Sequence, residues 1–463
     1  MKRKSLHALR WLATAAAAGW LVIACSTLPQ TPPEAAAART PTLVGAKGEL
    51  PPERSKAILD AVDRGSEGTD LLRKHLSNEE AITDVPLTVG NRVTLLQDGP
   101  ATYKAMYAAI RAAKDHINLE TYILEDDEIG RQLSDLLIDK QADGVQVNVV
   151  YDSVGSLSTP ETFFKRLADH GINVLQFNPI NPLETKKDWY INHRDHRKLL
   201  IADGRVAFTG GINYSSVYSG GSFRRPTRQA AKGDIPWRDT HVQIEGPAVA
   251  EFQKLFLQTW AKQKGAPLPS RTYFPALKEK GDQLVRAIGS TPDLQNSLLY
   301  STLMSAISNA ERSIHLTNAY FVPDPQLVRA LQDAARRGLD VTLILPSHSD
   351  FWAPLYAGRS HYSNLLQAGV KIYERKNVLL HAKSGVIDGV WSTVGSTNLD
   401  WRSFLHNDEL DAVVLGPKFG AEMEAAFEND LAESKRIVLE AWNHRSIGSR
   451  LKELGARTWE YWL

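Results

Sequence analysis

The chain has 463 residues, 43% of them apolar and 23% charged, with 54 basic side chains against 53 acidic ones and a formal charge of +1. These values suit a globular chain with room for two or three domain-sized units, and they exclude disorder and collagen-like repeats. One cysteine excludes an internal disulfide framework and any multi-cysteine metal site, and the near-neutral balance gives no support to a nucleic-acid groove.

The amino terminus opens on Lys2-Arg3-Lys4, followed by an apolar run from Trp11 to Ala24 that is too short for a spanning helix. It ends in Val22-Ile23-Ala24-Cys25. That tetrapeptide resembles the bacterial lipobox, whose cysteine is acylated and becomes the first residue of the mature protein. Residues 1–24 therefore read as a signal peptide and Cys25 as the lipidation site, with an uncleaved inner-membrane anchor as the alternative. Ser26 after the cysteine resembles the enterobacterial signal for the outer membrane. Residues 25–55 read as a Pro/Ala-rich tether. Without the four basic residues before Ala24 the body is slightly acidic.

From about Leu87 the pattern turns globular and then repeats. Strand-like runs at 117–122, 145–151 and 172–177 alternate with helical periodicity at 130–141 and 162–170. The same order returns as strands at 314–317, 339–345 and 370–373 with helices at 327–337 and 362–368. A period of roughly 190 residues marks a duplicated α/β domain rather than a solenoid. The expected architecture is two tandem domains, residues 86–265 and 285–440, each a mixed sheet flanked by helices and related by a pseudo-twofold, with a tail at 441–463. The segment from Lys418, with Phe419, Met423, Phe427 and Leu431 on one face, is expected to pack on the second domain.

Each half carries one constellation of polar residues. The first is His196-x-Lys198-x4-Asp203 followed by Gly210-Gly211-Ile212-Asn213, and the second is His381-x-Lys383-x4-Asp388 followed by Gly395-Ser396-Thr397-Asn398. Further on, Asp239-Thr240-His241 aligns without a gap on Glu409-Leu410-Asp411, so one carboxylate starts an equivalent strand after each motif. His and Lys two apart on a strand share a face. Two such faces brought together give two imidazoles, two ammonium groups and two amides around one small volume. Ammonium and amide groups can hold the nonbridging oxygens of a phosphodiester without a metal. One imidazole can attack phosphorus while the other serves as acid and then base. Asp239 and Glu409 would set imidazole tautomer and orientation.

The double motif resembles the phospholipase D superfamily, and the stretch from Arg197 to Tyr214 resembles its bacterial cardiolipin synthase branch. Supporting phrases are Trp237-Arg238-Asp239-Thr240-His241, Asn318-Ala319-Tyr320-Phe321-Val322-Pro323 and Val394 to Ser403. The resemblance covers about Asn91 to Arg445. It implies a phosphohistidine intermediate, no cofactor and no metal, and transfer of a phosphatidyl group to the hydroxyl of a second phosphatidylglycerol. It also implies His196 as nucleophile and His381 as acid/base, an order that the symmetry of the motifs does not supply. The catalytic set is then His196, Lys198, Asp203, His381, Lys383 and Asp388, with Asn213, Asn398, Asp239, Glu409, Gly211 and Ser396 binding phosphate or supporting the site. The two spanning helices that begin inner-membrane synthases of this branch are missing, and a lipobox stands there instead.

Several residues carry plainer readings. Asp203 and Asp388 sit among small and apolar neighbours and suit structural hydrogen bonding better than substrate contact. Glycines 210, 211 and 395 suit close backbone approach. His193 and His241 suit a surface or partnered role, and Glu120 is a candidate to line the cleft. The basic loop with Arg224, Arg225, Arg228 and Lys232 is either solvated or an anionic-headgroup contact. Phe351-Trp352-Ala353-Pro354-Leu355-Tyr356 is either core or lipid-facing. Transfer to a lipid hydroxyl and hydrolysis by water use the same motif, so both remain open. The expected partners are phospholipids and a membrane surface reached through acylated Cys25, with no nucleic acid, and a monomer holding the complete site. The expected location is the bacterial envelope, on the periplasmic face of the outer membrane or at the inner membrane.

Overall fold

The computed structural model describes residues 41–63, 71–80, 82–180, 192–221, 235–292 and 297–463. The signal segment, Cys25, most of the tether and the loop bearing Arg224, Arg225, Arg228 and Lys232 lie outside the described residues.

The chain forms a mixed α/β structure of two halves with matching strand connections. In the first, His116–Thr121, Gln146–Asp152 and Asn173–Phe177 run parallel. The sheet then continues antiparallel through Lys198–Ala202, Val206–Gly210, Thr240–Glu245 and Leu87–Gln97. In the second, Ser313–Asn318, Asp340–Pro346 and Lys371–Arg375 run parallel. Lys383–Ile387, Trp391–Gly395, Asn407–Leu415 and Gln283–Ser290 extend it antiparallel.

The parallel strands are joined by helices, as crossover connections require. Helices Glu128–Ala142 and Glu161–Asp169 serve the first half, and Pro325–Arg336 and Tyr362–Gln367 serve the second. Two of the four starts are written in aspartates. The Asp127 carboxylate accepts from the Gly130 N–H, and Asp324 accepts from those of Gln326 and Leu327, with Pro325 in the first turn.

Each half has its own core on the outer face of its sheet, and a third core lies between the sheets. That inner core joins Leu199, Ile201, Val242 and Ile244 of the first half to Val386, Val394, Leu410 and Ala412 of the second. Phe419 and Met423 of helix Pro417–Ala432 complete it, so the segment from Lys418 packs inward as its spacing indicates.

The amino-terminal boundary differs from the sequence reading. Among the described residues, structure packed on the core is present from Leu43, well before Leu87: strand Leu43–Gly45 pairs with Leu87 and Thr88, and helices Pro52–Asp63 and Leu71–Glu80 follow. Leu43, Leu59, Leu71, Leu72 and Leu76 are buried in the second half's core. Both helices are largely charged and contribute few apolar residues, and the first begins inside the stretch 25–55 read as tether; polar contacts fasten the second as well. Glu79 accepts from the Trp391 indole and pairs with Arg286, which also bridges Glu80 at 2.6 Å. His75 Nε2 lies 3.1 Å from Asp388. At the other end, strand Ser434–Ile437 adds antiparallel to Lys371–Arg375, an edge the sequence did not announce.

Leu72 is fully buried in this contact. Leu72→Ala is expected to lower unfolding free energy by about 2–5 kcal/mol, read from the urea midpoint, because the helix is part of the second half's core.

Candidate active site

Two short ladders bind the halves to each other. Arg194–Asp195 pairs in parallel with Asn407–Asp408, and Trp237–Arg238 pairs in parallel with Leu379–Leu380. The His196 N–H donates to the Asp408 carbonyl at 2.9 Å, and the His381 N–H donates to the Arg238 carbonyl at 2.8 Å. The next residues out of the ladders are therefore a histidine from one half and a carboxylate from the other.

The pairing is crosswise. His196 Nδ1 lies 3.0 Å from both carboxylate oxygens of Glu409, and His381 Nδ1 lies 2.7 Å from Asp239 Oδ2. An Nδ1–H donated to a carboxylate fixes the tautomer and leaves Nε2 of each ring for the cleft. His381 Nδ1 also has Lys383 Nζ at 3.0 Å and the Tyr218 hydroxyl at 3.3 Å. His196 instead has Tyr122 edge-on, with ring centroids 5.0 Å apart, and Lys198 Nζ stands 5.3 Å from the Tyr122 ring centre. Each lysine also donates to the carbonyl of its own histidine, two residues back.

Two small residues make room for the carboxylates. A Cβ at Gly211 would lie 2.1 Å from Asp239 Oδ1, so only glycine fits there. At the equivalent position Ser396 donates its hydroxyl to Glu409, which also accepts from Asn407 Nδ2 at 3.0 Å.

The motif asparagines differ between halves. Asn213 accepts from the Ile123 N–H at 3.1 Å and donates to the Tyr218 hydroxyl at 3.0 Å, so it reaches His381 through Tyr218. Asn398 Oδ1 is buried without a partner among the described residues. Both line a cleft of about 360 Å³ with His196, His381, Tyr122, Arg194, Trp237, Tyr320, Asp400 and Arg402.

Burial tunes these groups. It pushes the Lys198 ammonium down to about 7, against the attraction of Glu409, and Lys383 down to about 8, against that of Asp239. Burial and then Lys198 hold His196 well below the ordinary imidazole range, and burial and then Lys383 lower His381. Burial lifts Glu409 to about 7 in spite of Lys198, and lifts Asp400 to about 7. Lys198, Lys383, Glu409 and Asp400 thus titrate near neutrality, where small changes move protons, while both imidazoles are held lower.

Asp203 and Asp388, grouped with the His-Lys pairs in the motif, do not line the cleft. Each stands at a left-handed turn, φ +53° and +56°, and accepts backbone N–H groups. The donors are Lys114, Asp115 and His116 for Asp203, and Glu311, Arg312 and Ser313 for Asp388. They tie the strand after each motif to the loop before the neighbouring strand, which corrects their place in the catalytic set. Glu120 does not line the cleft either: it is buried, accepting from Thr259 at 2.9 Å beside Arg197. His193 pairs with Asp408 at 2.8 Å, in keeping with a partnered role, while His241 is fully buried with neither ring nitrogen partnered among the described residues, which fits neither the surface nor the partnered reading.

Arg194, Tyr122 and Tyr218 were not singled out by sequence, and Trp237 and Arg402 entered only within phrases shared with the family. Arg194 had a readable signal: it alternates with His196 and Lys198, so all three share a strand face. Buried Arg194 donates to Ser153 at 2.8 Å and Arg402 to Asn192 at 2.7 Å.

A duplicated mixed-sheet fold with two crosswise His–carboxylate pairs opening on one cleft, and a buried lysine two residues after each histidine, is that of a phospholipase D-like enzyme. A family profile described as cardiolipin synthase, PLD-like domain, matches residues 106–219 and 303–431. A cardiolipin synthase of Alkalihalophilus pseudofirmus is 35% identical over 375 residues, 80% of this chain and 72% of that protein. Cardiolipin synthase 2 of Bacillus anthracis is 34% identical over 361 residues, 77% and 68% of the respective chains. A phosphatidylserine synthase from Haemophilus influenzae shares the fold, with a TM-score of 0.61 at 14% identity over 84% of this chain and all of that one. The chain belongs to the phospholipase D superfamily, in its cardiolipin synthase family.

Two measurements check the wiring. Glu409→Gln is expected to release the tautomer of His196 and leave that of His381 in place, read from ¹⁵N shifts of labelled histidines. Sulfate, which stays a dianion across the range, is expected to raise the melting temperature more at pH 6 than at pH 9. Lys198 and Lys383 carry their charge below about 7 and 8 and lose it above. The difference between the two pH values should vanish in Lys198→Met/Lys383→Met.

Proposed function

We propose that the chain is a phosphatidyltransferase that makes cardiolipin-type lipid from phosphatidylglycerol and a second phospholipid. The carrying observation is the pair of imidazoles, each held at Nδ1 by a carboxylate of the other half and both lining one cleft, with a buried lysine two residues after each.

In the first step His196 Nε2 attacks the phosphodiester phosphorus of the donor, forming a P–N bond while the P–O bond to glycerol breaks. His381, protonated at Nε2, gives its proton to the departing glycerol oxygen. In the second, His381 takes the proton of the acceptor hydroxyl as that oxygen attacks phosphorus, and the P–N bond returns its electrons to His196. Glu409 stabilises the imidazolium character that His196 gains, and Asp239 does the same for His381. Lys198, Lys383 and Asn398 hold the nonbridging oxygens, whose negative charge in turn raises the lysines from their depressed values. The assignment of His196 as nucleophile rests on the superfamily resemblance. It is supported by the denser proton-bearing surroundings of His381, where Lys383 and Tyr218 flank the ring.

Both His–carboxylate pairs come from one chain, which supports a monomer as the catalytic unit. The Val22-Ile23-Ala24-Cys25 lipobox and Ser26 support acylation of Cys25 and residence on the periplasmic face of the outer membrane. No helix among the described residues is long and apolar enough to cross a membrane.

Expressing the gene in bacteria stripped of their own cardiolipin synthases tests the reading by lipid mass spectrometry. Cardiolipin should accumulate with the wild-type chain and be absent with His196→Ala or His381→Ala. Phosphatidic acid alone would make the chain a hydrolase.

A further inference from the structure

Helix Ile447–Arg457 is amphipathic, and its apolar stripe faces outward. At about 100° per residue, Ile447, Leu451 and Leu454 fall within an arc of about 60°, while Ala456 lies on the opposite side. Ala456 is fully buried and Glu453 nearly so, tied to Arg445 at 2.7 Å. Leu451 and Leu454 are instead 63% and 65% exposed, and Ile447 is 76% exposed. Water-facing helices of globular proteins present the reverse pattern.

The stripe belongs to a larger surface. The helix packs against Trp352–Ser360, where Trp352 is also exposed, and the turn that follows it carries exposed Trp459 and Trp462. Trp462 and Phe351 line the same cleft as His196 and His381. The helix's exposed charge is positive: Arg450, Lys452 and Arg457 are exposed, whereas its acid, Glu453, is buried and neutralised. Exposed leucines, tryptophans and basic residues together match the headgroup boundary of an anionic bilayer, and a protein partner would not require the tryptophans to stand at the rim of the cleft.

We propose that Ile447, Leu451, Leu454, Trp459, Trp462 and Trp352 form a docking face for anionic phospholipid bilayers that sets the mouth of the cleft against the lipid surface. This rests on the reading of phospholipids as substrates and adds how they reach the site: headgroups enter from the bilayer while the protein stays oriented.

Cys25 is the chain's single cysteine, so full-length Cys25→Ser is a clean background for labels. An environment-sensitive fluorophore is attached at Leu454→Cys, or at Asp139→Cys as a control. Asp139 is exposed near the end of helix Glu128–Ala142, just before strand Gln146–Asp152, whose far end leads to the site. On equimolar phosphatidylglycerol/phosphatidylcholine vesicles, the label at 454 should shift to the blue and be quenched by doxyl-labelled lipid, and the label at 139 should not. Equal response at both positions, no response at 454, or failure of the protein to sediment with the vesicles overturns the proposal. A blue shift at 454 before vesicles are added also overturns it, since another copy of the chain would then cover the stripe. In a second arm, Leu451→Glu/Leu454→Glu should lose at least about tenfold in turnover of vesicle phosphatidylglycerol. Hydrolysis of water-soluble bis(p-nitrophenyl) phosphate should stay within about twofold of wild type. Parallel losses on both substrates, or none on vesicles, count against the docking face. The fluorescence arm needs no turnover, so a chain that docks but makes no cardiolipin sinks only the functional reading.

Discussion

Two parallel ladders of two residues each carry the logic of this molecule. Each is too short to be stable alone, and each joins one half to the other at the point where a motif begins. Their register decides which carboxylate meets which histidine. The rest of the interface holds that register. Arg238, buried, forms a two-pronged contact with Asp430 of helix Pro417–Ala432 at 2.8 and 2.9 Å. Arg197 reaches the Glu409 and Ser290 carbonyls from the opposite half. Removing either arginine would strand buried polar groups, so the halves are tied by contacts that tolerate little displacement.

This explains why the electrostatics of the site look costly. Two ammonium groups, two imidazoles and two carboxylates are gathered away from water, and burial pushes the lysines and histidines down and Glu409 up. A cleft built this way is relaxed by what it binds. On the proposed reading a phosphodiester anion would add to the attraction of Glu409 and Asp239 for the lysines, so that binding and the restoration of ordinary proton affinities would be the same event. The crosswise carboxylates then determine where protons sit before any substrate arrives.

Much of this was legible in the residues. The period, the order of strands and helices, and the His-x-Lys spacing placed the motifs on equivalent strands, because alternation and helical spacing follow from backbone geometry alone. The gapless alignment of Asp239 on Glu409 singled out both carboxylates, yet the exchange between halves was hidden, since it is a fact of packing and no local pattern encodes it. Asp203 and Asp388 belong to the catalytic motif by family resemblance, yet their small and apolar neighbours already indicated structural hydrogen bonding: four residues of strand carry them to the far end, where an anion collects amide hydrogens at a left-handed turn. The helix at 71–80 went unseen because its attachment is partly ionic, through Glu79, Glu80 and His75, and polar attachment leaves little hydrophobic period to read.

The unequal pairs Gly211 with Asp239 and Ser396 with Glu409 bear on how such a duplicated chain can change. Each carboxylate is fitted to the small residue of its own half but works on the histidine of the other. The repeats are therefore not interchangeable modules. A recombinant that replaced one half with a copy from a relative would carry intact local packing and a rewired pair of histidines, each now governed by a foreign acid. Change within one repeat is read out in its twin, and the unit on which selection acts is the whole duplicated chain.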